Sequence, residues 1–105
     1  MRVEKITDKE FKDALASNEK IIIKYFAGWC GSCRLFAPKF NKMSVEEEFK
    51  DVTFLDINAE ENPEARKWAG VSNLPFFAAV KNGEILKADF TAKEEAVRDM
   101  IKSLN

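Results

Sequence analysis

Cys30 and Cys33 are the residues of this chain whose type and spacing could do chemistry, and they are its only two cysteines. A disulfide between residues three positions apart closes a very short loop and removes little entropy from the unfolded chain, so the pair is a poor structural cross-link. The same spacing supplies half of a four-ligand zinc site. The sequence holds no histidine and no second cysteine pair to complete that site, which leaves only carboxylates for the role. The pair therefore favours thiol chemistry, and we expect no bound metal.

The segment Cys30-Gly31-Ser32-Cys33 lies where a predicted strand ends and a predicted helix begins. At a helix amino terminus, free backbone N–H groups and the helix dipole favour an anion, and this setting lowers the pKa of a cysteine thiol. We therefore expect Cys30 to be the nucleophile and Cys33, one turn further on, to resolve a mixed disulfide by thiol–disulfide exchange. Gly31 lets the chain turn tightly and lets a partner approach. None of these steps needs a histidine.

Composition excludes several other functions. The chain has 17 Lys and Arg against 18 Asp and Glu, a net charge of −1, so no strong field attracts nucleic acid or an anionic membrane. No stretch approaches the roughly 20 apolar residues of a membrane span, and the first residues turn polar at once, unlike a signal peptide. Without a phosphate loop or dinucleotide fingerprint, electrons must come from another protein or from small thiols. We expect a cytoplasmic, monomeric protein whose single domain spans residues 1–105.

Apolar periodicity and capping residues predict the element order β-α-β-α-β-α-β-β-α, which is typical of an α/β protein. The expected strands are 3–6, 21–27, 52–57, 76–81 and 85–90. The expected helices follow a capping box at 7–10, run from Cys30 to about Glu48 with a kink at Pro38, follow Asn62-Pro63, and follow a second capping box at 91–94. Strands separated by helices pair in parallel, and the Asn82-Gly83 turn adds an antiparallel pair. A mixed five-stranded sheet with helices on both faces is therefore expected.

The sequence around the cysteines resembles that of thioredoxins. The resemblance covers nearly the whole chain and rests on Phe26-Ala27-Gly28-Trp29-Cys30-Gly31-Ser32-Cys33-Arg34, Ala37-Pro38, Asn62-Pro63, Leu74-Pro75 and Lys81-Asn82-Gly83-Glu84. It implies the thioredoxin fold and a protein disulfide reductase that uses the Cys30–Cys33 disulfide and no other cofactor. It also implies disulfide-containing client proteins, a thioredoxin-reductase-like electron donor, and a part in electron transport and cell redox homeostasis.

The resemblance also assigns residues that face a client. It implies that the Leu74–Pro75 bond is cis, that Pro75 faces the two cysteines, and that the backbone of Leu74 pairs with an incoming peptide. Trp29 is expected to contact substrate because it adjoins Cys30. Together with Gly31 and Ser32, these residues form the predicted substrate-binding set.

The chain departs from the thioredoxin pattern in three respects: at Ser32, at the Lys24/Asp56 pair, and in the loops that border the cysteines, where Asn73, Phe76 and Asp89-Phe90 replace the usual residues. Because these loops meet partners, partner choice is the property that the resemblance carries over least. Ser32 stands where thioredoxins usually have proline, so we expect a shifted reduction potential whose sign the sequence does not give. Lys24 stands where the family usually has a buried aspartate, and Asp56 where it often has a lysine on the neighbouring strand. Our hypothesis is that Lys24 and Asp56 form one buried pair that tunes the cysteines. The alternative is a charge pair without a catalytic role.

Two other functions compete with a disulfide reductase. One is a thiol oxidase or isomerase in an oxidising compartment, and the other is a binding module that uses the same fold to hold a partner. Oxidases and isomerases of the wider superfamily often carry histidine between the cysteines, and its absence here favours a reductant. The intact segment from Trp29 to Cys33 argues against a module without redox activity.

Overall fold

The computed structural model describes residues 2–105, which form one mixed sheet and the helices that cover it. The strands are β1 (Val3–Lys5), β2 (Lys20–Phe26), β3 (Thr53–Asn58), β4 (Phe76–Lys81) and β5 (Glu84–Phe90). The helices are α1 (Asp8–Ser17), α2 (Gly31–Met43), α3 (Pro63–Ala69) and α4 (Glu94–Lys102), and a 3-10 turn covers Glu47–Phe49. The predicted order of strands and α-helices is confirmed.

The strand order in the sheet is β1-β3-β2-β4-β5. Helices connect β1, β2 and β3, and these strands run parallel, whereas β4 is antiparallel to β2 and β5 is antiparallel to β4. β2 therefore lies in the middle of the sheet. Its carboxyl end leads directly into the segment that carries the cysteines.

Both faces of the sheet are covered. One apolar cluster joins the sheet to α1 and α3, and a second joins it to α2 and α4. Along β2, Ile21, Ile23 and Tyr25 belong to the first cluster and Ile22 to the second, and all four are fully buried. Because both faces of β2 meet a core, its sequence is a nearly continuous apolar run rather than an alternating one. Lys24 interrupts that run on the face that Ile22 shares.

Helix α2 ends earlier than its sequence pattern predicts. It continues through Pro38 but stops at Met43, not near Glu48. The hydroxyl of the buried Ser44 donates to the carbonyl of Asn41 at 2.6 Å, and such a local bond competes with the next helical turn. The chain then enters the 3-10 turn, which places Phe49 in the core beneath α2 and α4. Burial of that ring outweighs the helical preference of the glutamates before it.

The two predicted capping boxes have different outcomes. At α1, the Glu10 carboxylate accepts the backbone N–H of Thr7 at 2.9 Å, as predicted. At α4, the predicted box at 91–94 is wrong, since the helix begins at Glu94 after Lys93. The hydroxyl of Thr91 instead accepts the N–H of Lys93 at 3.1 Å in a local turn.

Helix α3 has a cap that comes from another helix. The carboxylate of Asp8, in the first turn of α1, accepts the N–H groups of Glu64 and Ala65 at 3.0 and 2.8 Å. Asn62 adds a reciprocal bond by accepting the N–H of Asp8 at 2.8 Å. These contacts fix the start of α3 against α1, and therefore the loop between β3 and α3 that borders the cysteines.

Candidate active site

The two cysteines lie at the junction of β2 and α2. Cys30 is the cap residue of α2, and its sulfur accepts the backbone N–H of Cys33 at 3.2 Å. A tight turn precedes it, in which the N–H of Cys30 donates to the carbonyl of Ala27 at 3.1 Å. The cysteines form a disulfide with their Cα atoms 5.3 Å apart, so the described state is the oxidised one. Both are buried, at 4% and 3% exposure, so accessibility does not distinguish their roles.

The two residues between the cysteines are exposed although the cysteines themselves are buried. Gly31 and Ser32 are exposed in the first turn of α2. The Ser32 hydroxyl lies 3.6 Å from the sulfur of Cys30, at the limit of a hydrogen bond to sulfur. A proline at this position would supply neither this hydroxyl nor a backbone N–H. Ser32, which replaces the usual proline, therefore places a hydrogen-bond donor next to Cys30, the expected nucleophile.

Trp29 is highly exposed, at 67%, although it is a large aromatic residue. Its indole N–H donates to the carboxylate of Glu60 at 2.8 Å. The side-chain oxygen of Asn58 holds this loop by accepting the N–H groups of Glu60 and Glu61 at 2.9 and 3.2 Å. Sequence reasoning missed Glu60. The available signal was its place just after β3, because parallel β2 and β3 end at the same edge of the sheet.

The Leu74–Pro75 segment borders the disulfide on another side. Leu74 is half-buried and packs against the small apolar cluster of Ala27, Cys30 and Cys33. The Leu74–Pro75 peptide bond is cis, and the carbonyl of Pro75 accepts the N–H of Thr91 at 3.2 Å. This hydrogen bond joins the residue before β4 to the residue after β5.

Lys24 and Asp56 meet beneath the disulfide. They are directly opposite each other on β2 and β3, and the Lys24 Nζ lies 3.4 Å from an Asp56 carboxylate oxygen. The Lys24 side chain is 3% exposed and the Asp56 side chain 21%. The ammonium also lies over the rings of Phe26 and Phe40, at 5.8 and 5.3 Å from their centroids, which adds cation–π attraction.

A cleft of about 290 Å³ connects this ion pair to the active site. Lys24, Asp56 and Cys33 all line it, and Lys5 and Arg34 add two further cations to its wall. Burial raises the pKa of the Asp56 carboxyl above its ordinary value, and the nearby Lys24 ammonium offsets part of that rise. The predicted pairing is present, and its positive member is the more deeply buried.

A metal site and a membrane-spanning helix were also considered from the sequence, and neither is found among the described residues. Within residues 2–105, no group of three or more Cys, Asp or Glu side chains is placed to hold a metal ion. In the same part of the chain, no helix combines the length and the apolar character needed to cross a membrane.

A disulfide held at the start of a helix, just after the central strand of a mixed sheet, is the site of a thiol–disulfide oxidoreductase. The family model described as Thioredoxin matches residues 2–103, and the chain belongs to the thioredoxin family. Thioredoxin-1 of Schizosaccharomyces pombe is 31% identical over 102 residues, which cover 96% of this chain and 97% of that protein. Thioredoxin-3, mitochondrial, of Saccharomyces cerevisiae is 30% identical over 95 residues, covering 87% and 73%.

Solved structures of thioredoxins have the same fold as this chain. The structure of reduced Schistosoma mansoni thioredoxin pre-protein matches with a TM-score of 0.89 and 29% identity, covering 100% of both chains. Thioredoxins are protein disulfide reductases that act through their redox-active disulfide without a cofactor. They generally reduce disulfides of client proteins and are themselves reduced by thioredoxin reductase. The chain is a protein-disulfide reductase of this kind.

Proposed function

We propose that Cys30 attacks the client disulfide and that Cys33 resolves the intermediate. The thiolate of Cys30 bonds to one client sulfur, and the other client sulfur leaves as a thiolate. Cys33 then loses its proton and attacks the sulfur of Cys30, which releases the second client thiolate and forms the Cys30–Cys33 disulfide. Two electrons pass from the enzyme to the client, so the cycle needs a reductant before it repeats.

The hydrogen bond from the Cys33 N–H to the Cys30 sulfur is the observation that supports this order. A negative charge on Cys30 would keep that bond and would face the positive end of the α2 dipole. Cys33 lies within the first turn and donates its N–H rather than receiving one. The two thiols therefore differ in their electrostatic surroundings although their burial is alike.

Client recognition is proposed to use the rim of the disulfide. Trp29 offers an exposed aromatic surface whose orientation the Glu60 bond holds, and Gly31 and Ser32 leave the approach free of bulk. Leu74 and Pro75 border the opposite side, where an extended client segment would pair with the Leu74 backbone. These are the roles that the thioredoxin pattern assigns to the residues at these positions.

Lys24 and Asp56 are proposed to tune the couple. The ammonium shares a cleft with Cys33, and a positive charge there favours the thiolate form of that residue. If this pair acts as a unit, exchanging the two residues restores what either single replacement loses. The test is a double-mutant cycle on the reduction potential with Lys24→Asp, Asp56→Lys and the exchanged double variant, and additive effects would contradict the coupling.

The cysteine roles are tested by disulfide reduction with insulin and dithiothreitol. The wild type should accelerate the reaction, whereas Cys30→Ser and Cys33→Ser should not. Cys33→Ser should accumulate a mixed disulfide with the client that denaturing gels without reductant reveal, and Cys30→Ser, the matched control, should not. No acceleration by the wild type, or equal trapping by both variants, would refute the assignment.

The electron donor and the compartment are part of the same proposal. We propose a thioredoxin-reductase-like donor and a cytoplasmic location, with one chain carrying a complete redox site. A measured reduction potential near or below about −250 mV fits a reductant, whereas about −120 to −180 mV fits an oxidase or isomerase. Fractionation of the native host, with the protein detected by antibody, tests the location, because the named relatives include a mitochondrial thioredoxin.

A further inference from the structure

Strand β5 has a free edge. It is the last strand of the sheet, and among the described residues it pairs only with β4. All of its residues are exposed, and three of them are large and apolar, namely Ile85, Leu86 and Phe90. A free edge presents unpaired N–H and C=O groups that can pair with another strand. Such an edge can pair with a strand of another chain.

A β-bulge limits the part of β5 that is regular. Lys87 lies opposite Ala79, but Ile85 lies opposite Val80, so Leu86 is an extra residue on β5. From Lys87 to Phe90 the strand pairs with β4 without interruption. We call these four residues the β5 edge.

The β5 edge has one apolar face and one charged face. Ala88 and Phe90 lie opposite Ala78 and Phe76, which belong to the core beneath α1 and α3. Lys87 and Asp89 lie opposite Ala79 and Phe77, which belong to the core beneath α2 and α4. The edge therefore presents Ala and Phe on one face and a Lys and an Asp on the other.

The backbone of the β5 edge alternates between β4 and the free side. The N–H of Thr91 donates to the carbonyl of Pro75, so Thr91 points towards β4. Because neighbouring residues of an antiparallel strand point their backbone groups to opposite sides, Asp89 and Lys87 also point towards β4. Ala88 and Phe90 then point their N–H and C=O groups outward.

This alternation leaves few ways for two copies to pair through the edge. When two such edges pair antiparallel, residues that point outward must lie opposite residues that point outward. The twofold axis that relates the two copies then passes through a single residue position of the strand. An axis on Lys87 or on Asp89 places like charges directly opposite each other, which is destabilising. An axis on Ala88 places Lys87 opposite the Asp89 of the second copy, twice. It also places Ala88 opposite the Ala88 of the second copy, on the apolar face.

We propose that the protein forms a twofold dimer in which the two β5 edges pair antiparallel about Ala88. The two sheets then join into one ten-stranded sheet with the two Ala88 side chains on one face and two ion pairs on the other. Because both copies use the same edge, assembly closes at two. The sequence alone led us to expect a monomer, and the complementarity of this edge is the reason to revise that expectation. Each redox site is contained within one chain, so the dimer does not depend on the proposed roles of the cysteines.

Charge reversal tests the register. Sedimentation equilibrium of the oxidised wild type should show a dimer fraction that rises with protein concentration. Lys87→Asp and Asp89→Lys should each weaken dimerisation by about tenfold, because each single change turns both cross-strand pairs into like-charge pairs. The double variant Lys87→Asp/Asp89→Lys restores opposite charges in both pairs and should return the dissociation constant to within about threefold of the wild type.

Cross-linking tests the position of the axis. In a Cys30→Ser/Cys33→Ser background, Ala88→Cys should be linked to its copy rapidly by a short bifunctional thiol reagent. Glu84→Cys is the matched control, since it is equally exposed on the same strand but lies opposite position 92 in this register. Because the background lacks the redox cysteines, a failed dimer and a failed redox mechanism are separate results.

Three results would overturn the dimer. They are a wild type that stays monomeric at every concentration, single reversals that leave the dissociation constant unchanged, and Glu84→Cys that links as fast as Ala88→Cys. Recovery in the double variant supports the Ala88 register, and its failure to recover contradicts it.

Discussion

Removing one member of the Lys24–Asp56 pair should cost more stability when Lys24 is the member left behind. The Lys24 side chain is 3% exposed, whereas Asp56 is 21% exposed and reaches solvent. Breaking a buried ion pair costs about 3–5 kcal/mol because one charge stays buried without a partner. Asp56→Asn should therefore lower the free energy of unfolding by about 3 kcal/mol. Lys24→Met, which keeps an apolar stem against Phe40, should lower it by only about 1–2 kcal/mol because water screens the remaining carboxylate.

The double variant Lys24→Met/Asp56→Asn provides the decisive comparison. It removes both charges, so no ion remains buried, and its cost should be about 1 kcal/mol, well below the sum of the single costs. Urea unfolding of the oxidised proteins at neutral pH measures all four corners of the cycle. A double variant as unstable as the sum, or Lys24→Met costing more than Asp56→Asn, would refute the reasoning.

The pH dependence of the same variants has a definite sign. Burial raises the folded-state pKa of Asp56 above its ordinary value of 3.8, so the folded protein holds this proton more tightly than the unfolded chain. The contribution of Asp56 to stability is therefore full below pH 3.8 and is lost as the pH rises through the folded-state pKa. Lys24→Met removes the ammonium that offsets part of this pKa rise. In that variant, the pH range over which the contribution of Asp56 to stability is lost should therefore extend to higher pH. In the Asp56→Asn background, Lys24→Met should not extend this pH range, because the titrating carboxyl is absent.

Two further predictions concern Ser32 and Asp8. Ser32→Ala removes the hydroxyl 3.6 Å from the Cys30 sulfur. If that hydroxyl stabilises the thiolate by about 1 kcal/mol, the reduction potential should fall by about 20 mV, and equilibration with glutathione measures it; an unchanged or higher potential would contradict this role. Asp8→Ala removes the carboxylate that accepts the N–H groups of Glu64 and Ala65. It should cost about 1–2 kcal/mol in urea unfolding, while Asp8→Asn, which keeps an acceptor, should cost less.

Much of the fold follows from local patterns. The apolar run of β2, the Asn82-Gly83 turn and the cap of Thr7 by Glu10 each depend on residues that are near one another in the chain. The same holds for the placement of Cys30 at a helix start, because a strand, a short turn and a helix follow in direct succession. Such features are predictable because their physical cause lies within a few residues.

The errors occurred where distant contacts outweigh local preference. Helix α2 stops at Met43 because Phe49 enters the core and Ser44 turns its hydroxyl to the preceding carbonyl. The predicted box at Thr91 fails because that residue sits in a turn whose N–H is held by Pro75 across the sheet. Neither contact is visible in the spacing of the residues involved.

The features of the site also divide into those that the sequence indicates and those that only the tertiary structure reveals. The sequence by itself determined that Cys30 and Cys33 share a helix start and that the chain has no histidine for an alternative chemistry. It also marked Lys24 and Asp56 as a possible pair. Only the tertiary structure decided that Glu60 holds Trp29, since 31 residues of chain separate the two. Which carboxylate meets which donor across that distance depends on how the strands are ordered, and strand order is a property of the whole sheet.

The β5 edge combines the two kinds of information. Its residues were recognised as a strand from the Asn-Gly turn that precedes it. Only the register with β4 showed that Leu86 is a bulge residue, that Lys87 and Asp89 share a face, and that Ala88 and Phe90 point outward. A strand sequence specifies which side chains alternate. The face that meets the core and the backbone groups left free are decided by the pairing of distant residues, because each hydrogen bond of a sheet joins two separate parts of the chain.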